Sequence, residues 1–115
     1  MQTEQIQTLV IDALEDMKAH NITVIDVRGR TSVTDFMIIA TGTSNRHVAA
    51  IAGNVEEKAK HAGLRPNGCE GRAASEWVLI DLFDVIVHVM TDQSRHFYDL
   101  ERLWGEPASD EGQAQ

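Results

Sequence analysis

The fold of this chain is indicated first by one apolar run and the turn that follows it, Asp35-Phe-Met-Ile-Ile-Ala-Thr-Gly-Thr-Ser44. Up to Ala40 the run shows no polar alternation, which is typical of a strand near the middle of a sheet. Ser44 can cap the helix that follows, because apolar residues over 48–62 share one stripe and basic residues fill the last turn. A buried strand that turns directly into a long helix predicts an α/β protein.

Shorter patterns predict the remaining elements. Apolar residues at three- and four-residue steps predict a first helix, with Thr3 as its N-cap and Asn21 as its end. Three further strands and a last helix are predicted over 22–27, 76–81, 84–90 and 94–104. The fold class is therefore α/β, a mixed-sheet sandwich in the order helix, strand, strand, helix, strand, strand, helix. Three helices can cover one face of such a sheet but not both, so we expect some sheet surface to stay open.

Length and composition indicate one globular domain. The chain has 115 residues, of which 43% are apolar. We expect the domain to span 1–104, because 105–115 has the polar, helix-breaking composition of a disordered tail. Cys69 cannot form an internal disulfide, and neither a secretion leader nor a run of about 18 apolar residues is present, so a reducing cytoplasm is the expected compartment.

The net charge of −8 is spread unevenly along the chain. Residues 1–69 include 8 acidic and 7 basic side chains, whereas residues 70–115 include 10 acidic and 3 basic ones. Nucleic acid is bound by neutralising its phosphates with Lys and Arg, so this surface disfavours nucleic acid and suits a basic protein partner. Solubility alone would also account for an acidic surface.

The predicted strand at 77–81 sorts its side chains into two sets, because successive residues point to opposite faces. The set that resembles core is Val78, Ile80 and Leu82. The other set, Trp77, Leu79 and Asp81, lines up an indole, an aliphatic group and a carboxylate. Trp is a typical anchor at the centre of an interface, so these residues form a binding strip if they face away from the helices. The alternative is that Trp77 packs against the last helix.

The last helix adds a second candidate contact. Its core stripe follows the spacing of Phe97, Leu100 and Trp104. Tyr98 lies off this stripe, with Asp99 beside it, so we place Tyr98 at a partner contact.

The turn at Gly42-Thr-Ser-Asn45 is the one candidate phosphate site in the sequence, because a helix start directs backbone N–H groups toward an anion. A strand followed by Gly-x-Ser is also similar to nucleotidyltransferases, whose chemistry needs two or three carboxylates around divalent metal ions. The sequence has no Asp-x-Asp pair on a following strand, and turn chemistry accounts for Asp81 and Asp84. A simple helix cap is the plainer interpretation.

The histidines, at 20, 47, 61, 88 and 96, show no metal-ligand spacing with one another or with Cys69. His88 lies in an apolar strand and is expected to be a buried, hydrogen-bonded side chain. We therefore expect no enzymatic activity, no metal and no cofactor.

Several motifs in order along the chain resemble one family. They are Val33-Thr-Asp-Phe-Met-Ile-Ile-Ala-Thr-Gly-Thr-Ser44 running into Arg46-His-Val48, then Glu70-Gly71, Trp77-Val-Leu-Ile-Asp81, Asp84-Val-Ile-Val-His-Val89 and Arg95-x-Phe-Tyr-Asp-Leu-Glu-Arg-Leu-Trp104. Together they are similar to the ribosomal silencing factor, or Iojap-like, family over residues 9–104.

The resemblance implies a non-enzymatic protein with a nucleotidyltransferase-like fold, often a homodimer. It implies binding to the large ribosomal subunit through ribosomal protein L-fourteen, which obstructs joining of the small subunit and restrains translation when nutrients are scarce. The partner-facing residues that it implies here are Trp77, Leu79, Asp81 and Tyr98, supported by Glu70 and Asp99.

The chain departs from the family pattern at one position. The family commonly has glycine between the two acidic residues of the hairpin, where this chain has Leu82-Phe-Asp84. A bulky side chain disfavours positive φ, so Phe83 leaves the turn type open.

Two other functions remain compatible with the sequence. A nucleotide-binding or nucleotidyl-transferring enzyme would use the helix start at Gly42-Thr-Ser44. A homodimeric adaptor would use the open sheet face for self-association.

Overall fold

The structure, a computed structural model, describes residues 2–71 and 76–98. Eight elements follow one another along these ranges. They are α1 (Thr3–Asp16), β1 (His20–Asp26), β2 (Phe36–Gly42), α2 (Asn45–His61), β3 (Gly68–Glu70), β4 (Trp77–Asp81), β5 (Val85–Thr91) and α3 (Asp92–Tyr98).

One mixed sheet of five strands organises the chain, in the order β1-β2-β5-β4-β3. β2 and β5 run parallel, and the other neighbouring pairs are antiparallel. The α/β class and the mixed sheet are confirmed. β2 lies inside the sheet, as its continuous apolar run predicts.

The predicted order of elements is wrong by one strand. The sequence pattern predicts no strand between the second helix and the strand at 76–81, but β3 begins at Gly68 and pairs with β4, Glu70 opposite Leu79. Three residues are too short to show a period of two, and their pairing depends on β4 rather than on their own propensity.

The main core lies between one face of the sheet and the layer formed by α1 and α2. Val48, Ile51 and Val55 are fully buried, which confirms the stripe predicted for α2 up to Ala59. Ala62, the last residue of the predicted stripe, is exposed because the helix ends at His61. Two hydrogen bonds tie α2 to α1: Asn54 Nδ2 donates to the Ala13 carbonyl at 2.8 Å, and His47 Nε2 lies 2.7 Å from the Met17 carbonyl.

Both predicted ends of the first helix are wrong. The N-cap is Gln2, whose N–H donates to Gln5 Oε1 at 2.9 Å, while the hydroxyl of Thr3 donates instead to Asp84 Oδ2 at 3.1 Å. The helix ends at Asp16 because Lys18 leaves the helical region with φ of 59°. Asn21 lies within β1, at an irregularity in its pairing.

The third helix does not join the layer of α1 and α2. It begins at Asp92, two residues before the predicted start, and Thr91 Oγ1 accepts from the Ser94 N–H at 3.2 Å. Arg95 is buried and donates to Thr23 Oγ1 and Thr41 Oγ1, both at 2.8 Å. α3 therefore starts at the other face of the sheet. Its predicted continuation to Trp104 and the predicted tail at 105–115 lie outside the described residues.

Within the described ranges, no helix is both long and apolar enough to cross a membrane.

Candidate functional site

The face of the sheet opposite α1 and α2, here called the outer face, carries the candidate site. Side chains paired across neighbouring strands share a face, so the register identifies its rows. One row crosses the sheet through Glu70, Leu79, His88, Ile39 and Thr23. The rows beside it contain Asp81, opposite Ile86, and Trp77, opposite Met90.

The predicted alternation along β4 is confirmed. Val78, Ile80 and Leu82 are fully buried under the helices. Trp77, Leu79 and Asp81 point to the outer face and are only partly buried. The structure thus places three of the predicted contact residues side by side on a partly exposed strand.

Glu70 joins these residues through β3. It is exposed and lies directly opposite Leu79 in the antiparallel pair. We call Glu70, Trp77, Leu79 and Asp81 the docking strip. Both of its carboxylates lie next to Leu79, Asp81 along β4 and Glu70 on the neighbouring strand, and Trp77 lies on the other side of Leu79.

Trp77 is held in place by the apolar part of the outer face. Its ring packs against a cluster of buried residues formed by Ile25, Val27, Met37, Ile39 and Met90. Its indole Nε1–H donates to His88 Nδ1 at 2.8 Å, and the two ring centroids are 5.6 Å apart. The indole is therefore anchored at one edge while part of its surface stays open to solvent.

His88 is buried and hydrogen-bonded, as its apolar strand predicts. Because the indole N–H can only donate, His88 Nδ1 must be unprotonated and the ring neutral. Burial lowers the pKa of His88 from 6.5 to about 4, which keeps the ring in this form at neutral pH.

Asp81 is positioned by the turn that follows it. Its Oδ1 accepts from the Phe83 N–H at 2.9 Å, and its Oδ2 accepts from Asn67 Nδ2 at 3.1 Å. These bonds fix the carboxylate at the end of β4, where Asp81 is partly exposed.

The remaining predicted contacts lie at or beyond the end of the described residues. Tyr98 is the last residue of α3, and Asp99 lies outside the described range. Sequence reasoning assigned no role to Arg95, although this side chain fixes the start of α3. A single arginine among the apolar residues of a short helix is the sequence pattern that could have indicated this role.

A cavity of about 700 Å³ lies at the carboxyl ends of the parallel strands β2 and β5, beside the predicted phosphate turn. Its described lining includes Thr43, Ser44 and Asn45 at the start of α2. It also includes two carboxylates, Glu76 and Asp92, and neither Lys nor Arg. A phosphate would meet negative charge here without a described lining cation to neutralise it.

Two hydrogen bonds within the chain hold the turn at the start of α2. Ser44 Oγ accepts from the His47 N–H at 3.1 Å, as the predicted cap requires, and His47 Nδ1 accepts from the Thr43 N–H at 2.9 Å. His47 thus links the start of α2 to the end of α1. Gly42 allows this tight turn, because an added Cβ would lie 2.8 Å from Val48 Cγ2.

Metal chemistry finds no support in the described side chains. Within residues 2–71 and 76–98, no three His, Cys, Asp or Glu side chains come together as a metal site.

The fold and the strip define a class, an α/β domain with a mixed sheet whose candidate site is a sheet surface. A family model described as "Ribosomal silencing factor during starvation" matches residues 1–115. The chain therefore belongs to the ribosomal silencing factor family, as its motifs predict.

Individual relatives agree with this placement. A ribosomal silencing factor of Chromobacterium violaceum is 48% identical over 105 residues, covering 91% of this chain and 86% of the relative. One from Haemophilus influenzae is 43% identical over 95 residues, covering 83% and 93%. A crystal structure of a Chromobacterium violaceum protein matches with a TM-score of 0.89 at 48% identity, covering 91% of this chain and 88% of that one.

Proposed function

We propose that this protein binds the large ribosomal subunit through ribosomal protein L-fourteen and uses the docking strip as its contact surface. Bound there, it blocks joining of the small subunit by its bulk and slows translation when nutrients are limiting. The observation that carries the proposal is the alignment of Trp77, Leu79 and Asp81 on the partly exposed side of β4, with Glu70 opposite them.

The charge of the strip fits such a partner. Glu70 and Asp81 both lie next to Leu79, and the chain has a net charge of −8. Ribosomal proteins are basic, so opposite charges would speed encounter and orient the two surfaces. An acidic surface repels rRNA, and we therefore assign the contact to protein with little direct nucleic-acid contact.

Each strip residue has a distinct role in this proposal. Trp77 is the anchor, because its indole is already held by His88 and loses little freedom on binding. Leu79 supplies apolar contact, while Glu70 and Asp81 pair with basic side chains. Tyr98 and Asp99 would add further contacts to the partner.

The mechanism needs no catalytic group. Steric blockade requires only enough affinity to occupy the joining surface and enough volume to collide with the other subunit. We accordingly propose a non-enzymatic cytoplasmic protein without a cofactor. We further propose that the free protein is a homodimer that uses the same outer face, so that dimer and ribosome compete for it. The nucleotidyltransferase-like fold stays a prediction.

The nucleotide-binding alternative has one observation in its favour, the cavity beside Gly42. The two lining carboxylates and the internally bonded turn weigh against it. Isothermal titration with nucleoside triphosphates and magnesium separates the two functions, because the silencing proposal expects no heat of binding.

The direct test is co-sedimentation with purified large subunits. Trp77→Ala and Leu79→Ala should each weaken binding, the former by about 30-fold or more if Trp77 is an interface anchor. Val24→Ala removes a similar exposed apolar side chain from β1 and should leave binding unchanged. Melting temperatures recorded alongside show that each variant is folded. Full binding by both strip variants would refute the proposed contact surface.

The block itself is tested by mixing the two ribosomal subunits and following their joining by light scattering. The wild-type protein should reduce joining, and Trp77→Ala should reduce it much less. Undiminished joining in the presence of bound wild-type protein would contradict the steric mechanism.

A further inference from the structure

Phe83 adopts a backbone conformation that disfavours it. It has φ of 71° in the short loop between β4 and β5, where Asp84 keeps a negative φ. In a two-residue hairpin loop, a positive φ at the first residue and a negative φ at the second are typical of a type II′ turn. Glycine is preferred at the first of these residues. Leu82 N–H donates to the Val85 carbonyl at 2.9 Å, which closes this loop. The β-carbon of Phe83 therefore adds strain that glycine would not.

The Phe83 side chain belongs to neither of the two buried clusters of the described structure. Phe83 is 52% exposed, and it is the one aromatic among the large apolar residues that the described structure exposes. Neither the backbone nor the core favours phenylalanine at this position. Residues in strained backbone conformations cluster at active sites, ligand-binding sites and switch regions.

The position of Phe83 adds a functional context. Its own N–H donates to Asp81 Oδ1 at 2.9 Å, so residue 83 is bonded directly to the end of the docking strip. The loop with this exposed aromatic residue thus directly follows the carboxylate at the end of the strip.

We infer that Phe83 extends the docking strip and stacks on a basic side chain of the ribosomal protein that Asp81 attracts. Arg and Lys bind over aromatic faces while a nearby carboxylate fixes their charge. The chain itself contains such an arrangement, because the Arg28 guanidinium lies 4.8 Å from the centre of the Phe36 ring and is paired with Asp26. The inference rests on the proposed function and adds to it a contact that glycine at this position would lack.

The test compares Phe83 variants in equilibrium binding to purified large subunits. Phe83→Gly relieves the strained φ and should keep or raise the melting temperature, yet it should weaken binding by about tenfold. Phe83→Tyr keeps the ring and should bind like the wild type. Phe83→Leu keeps apolar volume without the ring and should bind as weakly as Phe83→Gly.

Other outcomes separate this inference from the proposed function. Wild-type affinity in Phe83→Gly, measured beside a Trp77→Ala variant that has lost binding, would overturn the inference alone. Full affinity in Phe83→Leu would overturn the stacking contact. Unchanged ribosome binding with weaker self-association in Phe83→Gly would reassign the ring to a second copy of this chain and overturn the inference. Failure of the wild-type protein to bind large subunits would overturn both.

Discussion

The indole Nε1–H of Trp77 donates to Nδ1 of His88 at 2.8 Å, across the pair of strands that supports the docking strip. A buried histidine thus holds the residue that we propose as the anchor for the ribosome. The bond requires a neutral imidazole, because a protonated Nδ1 cannot accept a hydrogen bond.

Stability should therefore fall as the solution becomes acidic. Burial lowers the pKa of His88 from 6.5 in the unfolded chain to about 4 in the folded protein. Between these values the unfolded chain binds the proton and the folded protein does not, so acid favours unfolding. The full difference is about 3 kcal/mol, present above the upper pKa and lost progressively as pH falls to the lower one. Urea unfolding of the wild type and of His88→Gln at several pH values isolates this contribution.

The control for this titration is His61→Gln, since the His61 side chain is 78% exposed. At neutral pH this variant should unfold within about 0.5 kcal/mol of the wild type, because an exposed side chain contributes little to packing. An equally steep dependence in His88→Gln would contradict the assignment to His88.

Two glycines near α2 should respond to alanine in opposite directions. Gly42→Ala places a Cβ 2.8 Å from Val48 Cγ2 and 3.0 Å from the Val48 nitrogen, so we expect a loss of about 1–3 kcal/mol in unfolding free energy. Gly53 lies in the exposed middle of α2 with nothing within 4 Å of an added Cβ. Gly53→Ala should stabilise the protein by about 0.5–1 kcal/mol. Chemical unfolding of both variants measures these changes. A gain in stability from Gly42→Ala would contradict the close approach of residue 42 to Val48.

Reversing the charge of Glu70 should slow association with the large subunit. Glu70 is exposed on β3, so Glu70→Lys replaces attraction for a basic partner with repulsion and should reduce the association rate by roughly threefold to tenfold. Glu57→Lys makes the same charge change on an exposed position of α2 and should have much less effect. Stopped-flow binding at two salt concentrations measures both rates. Equal slowing by the two variants would mean that net charge, rather than the strip, steers the encounter.

Loss of Arg95 should destabilise the start of α3. Its guanidinium donates to the Asn21 carbonyl and to the hydroxyls of Thr23 and Thr41, so Arg95→Met would leave these acceptors without a donor. We expect a loss of about 2–4 kcal/mol in unfolding free energy, measured by urea denaturation. Arg46→Met, at an exposed position of α2, is the matched control. A similar, small effect of both variants would contradict the structural role of Arg95.

The sequence predicts those features whose pattern repeats over several residues. Alternation over 77–81 predicts correctly which side of β4 is buried, because a period of two has only one register compatible with a core. The spacing of Val48, Ile51 and Val55 predicts α2, because a period of 3.6 residues places all three on one face of a helix. These elements position the docking strip.

Features that depend on tertiary partners could not be predicted in this way. β3 exists because β4 offers an edge to pair with, and three residues show no pattern of their own. The local sequence predicts Thr3 as a helix cap, but its hydroxyl donates instead to Asp84, which is distant in sequence. The sequence also does not predict the positive φ of Phe83, because closure of the hairpin imposes this conformation although phenylalanine disfavours it.

The most direct test of the central claim is site-specific photo-crosslinking. A benzophenone amino acid in place of Leu79, at the centre of the docking strip, should crosslink to ribosomal protein L-fourteen in purified large subunits. The same group in place of Ala50, exposed on α2, should not crosslink to it. Crosslinks from the Ala50 position but not from the Leu79 position would place the contact on the helical face and contradict the account.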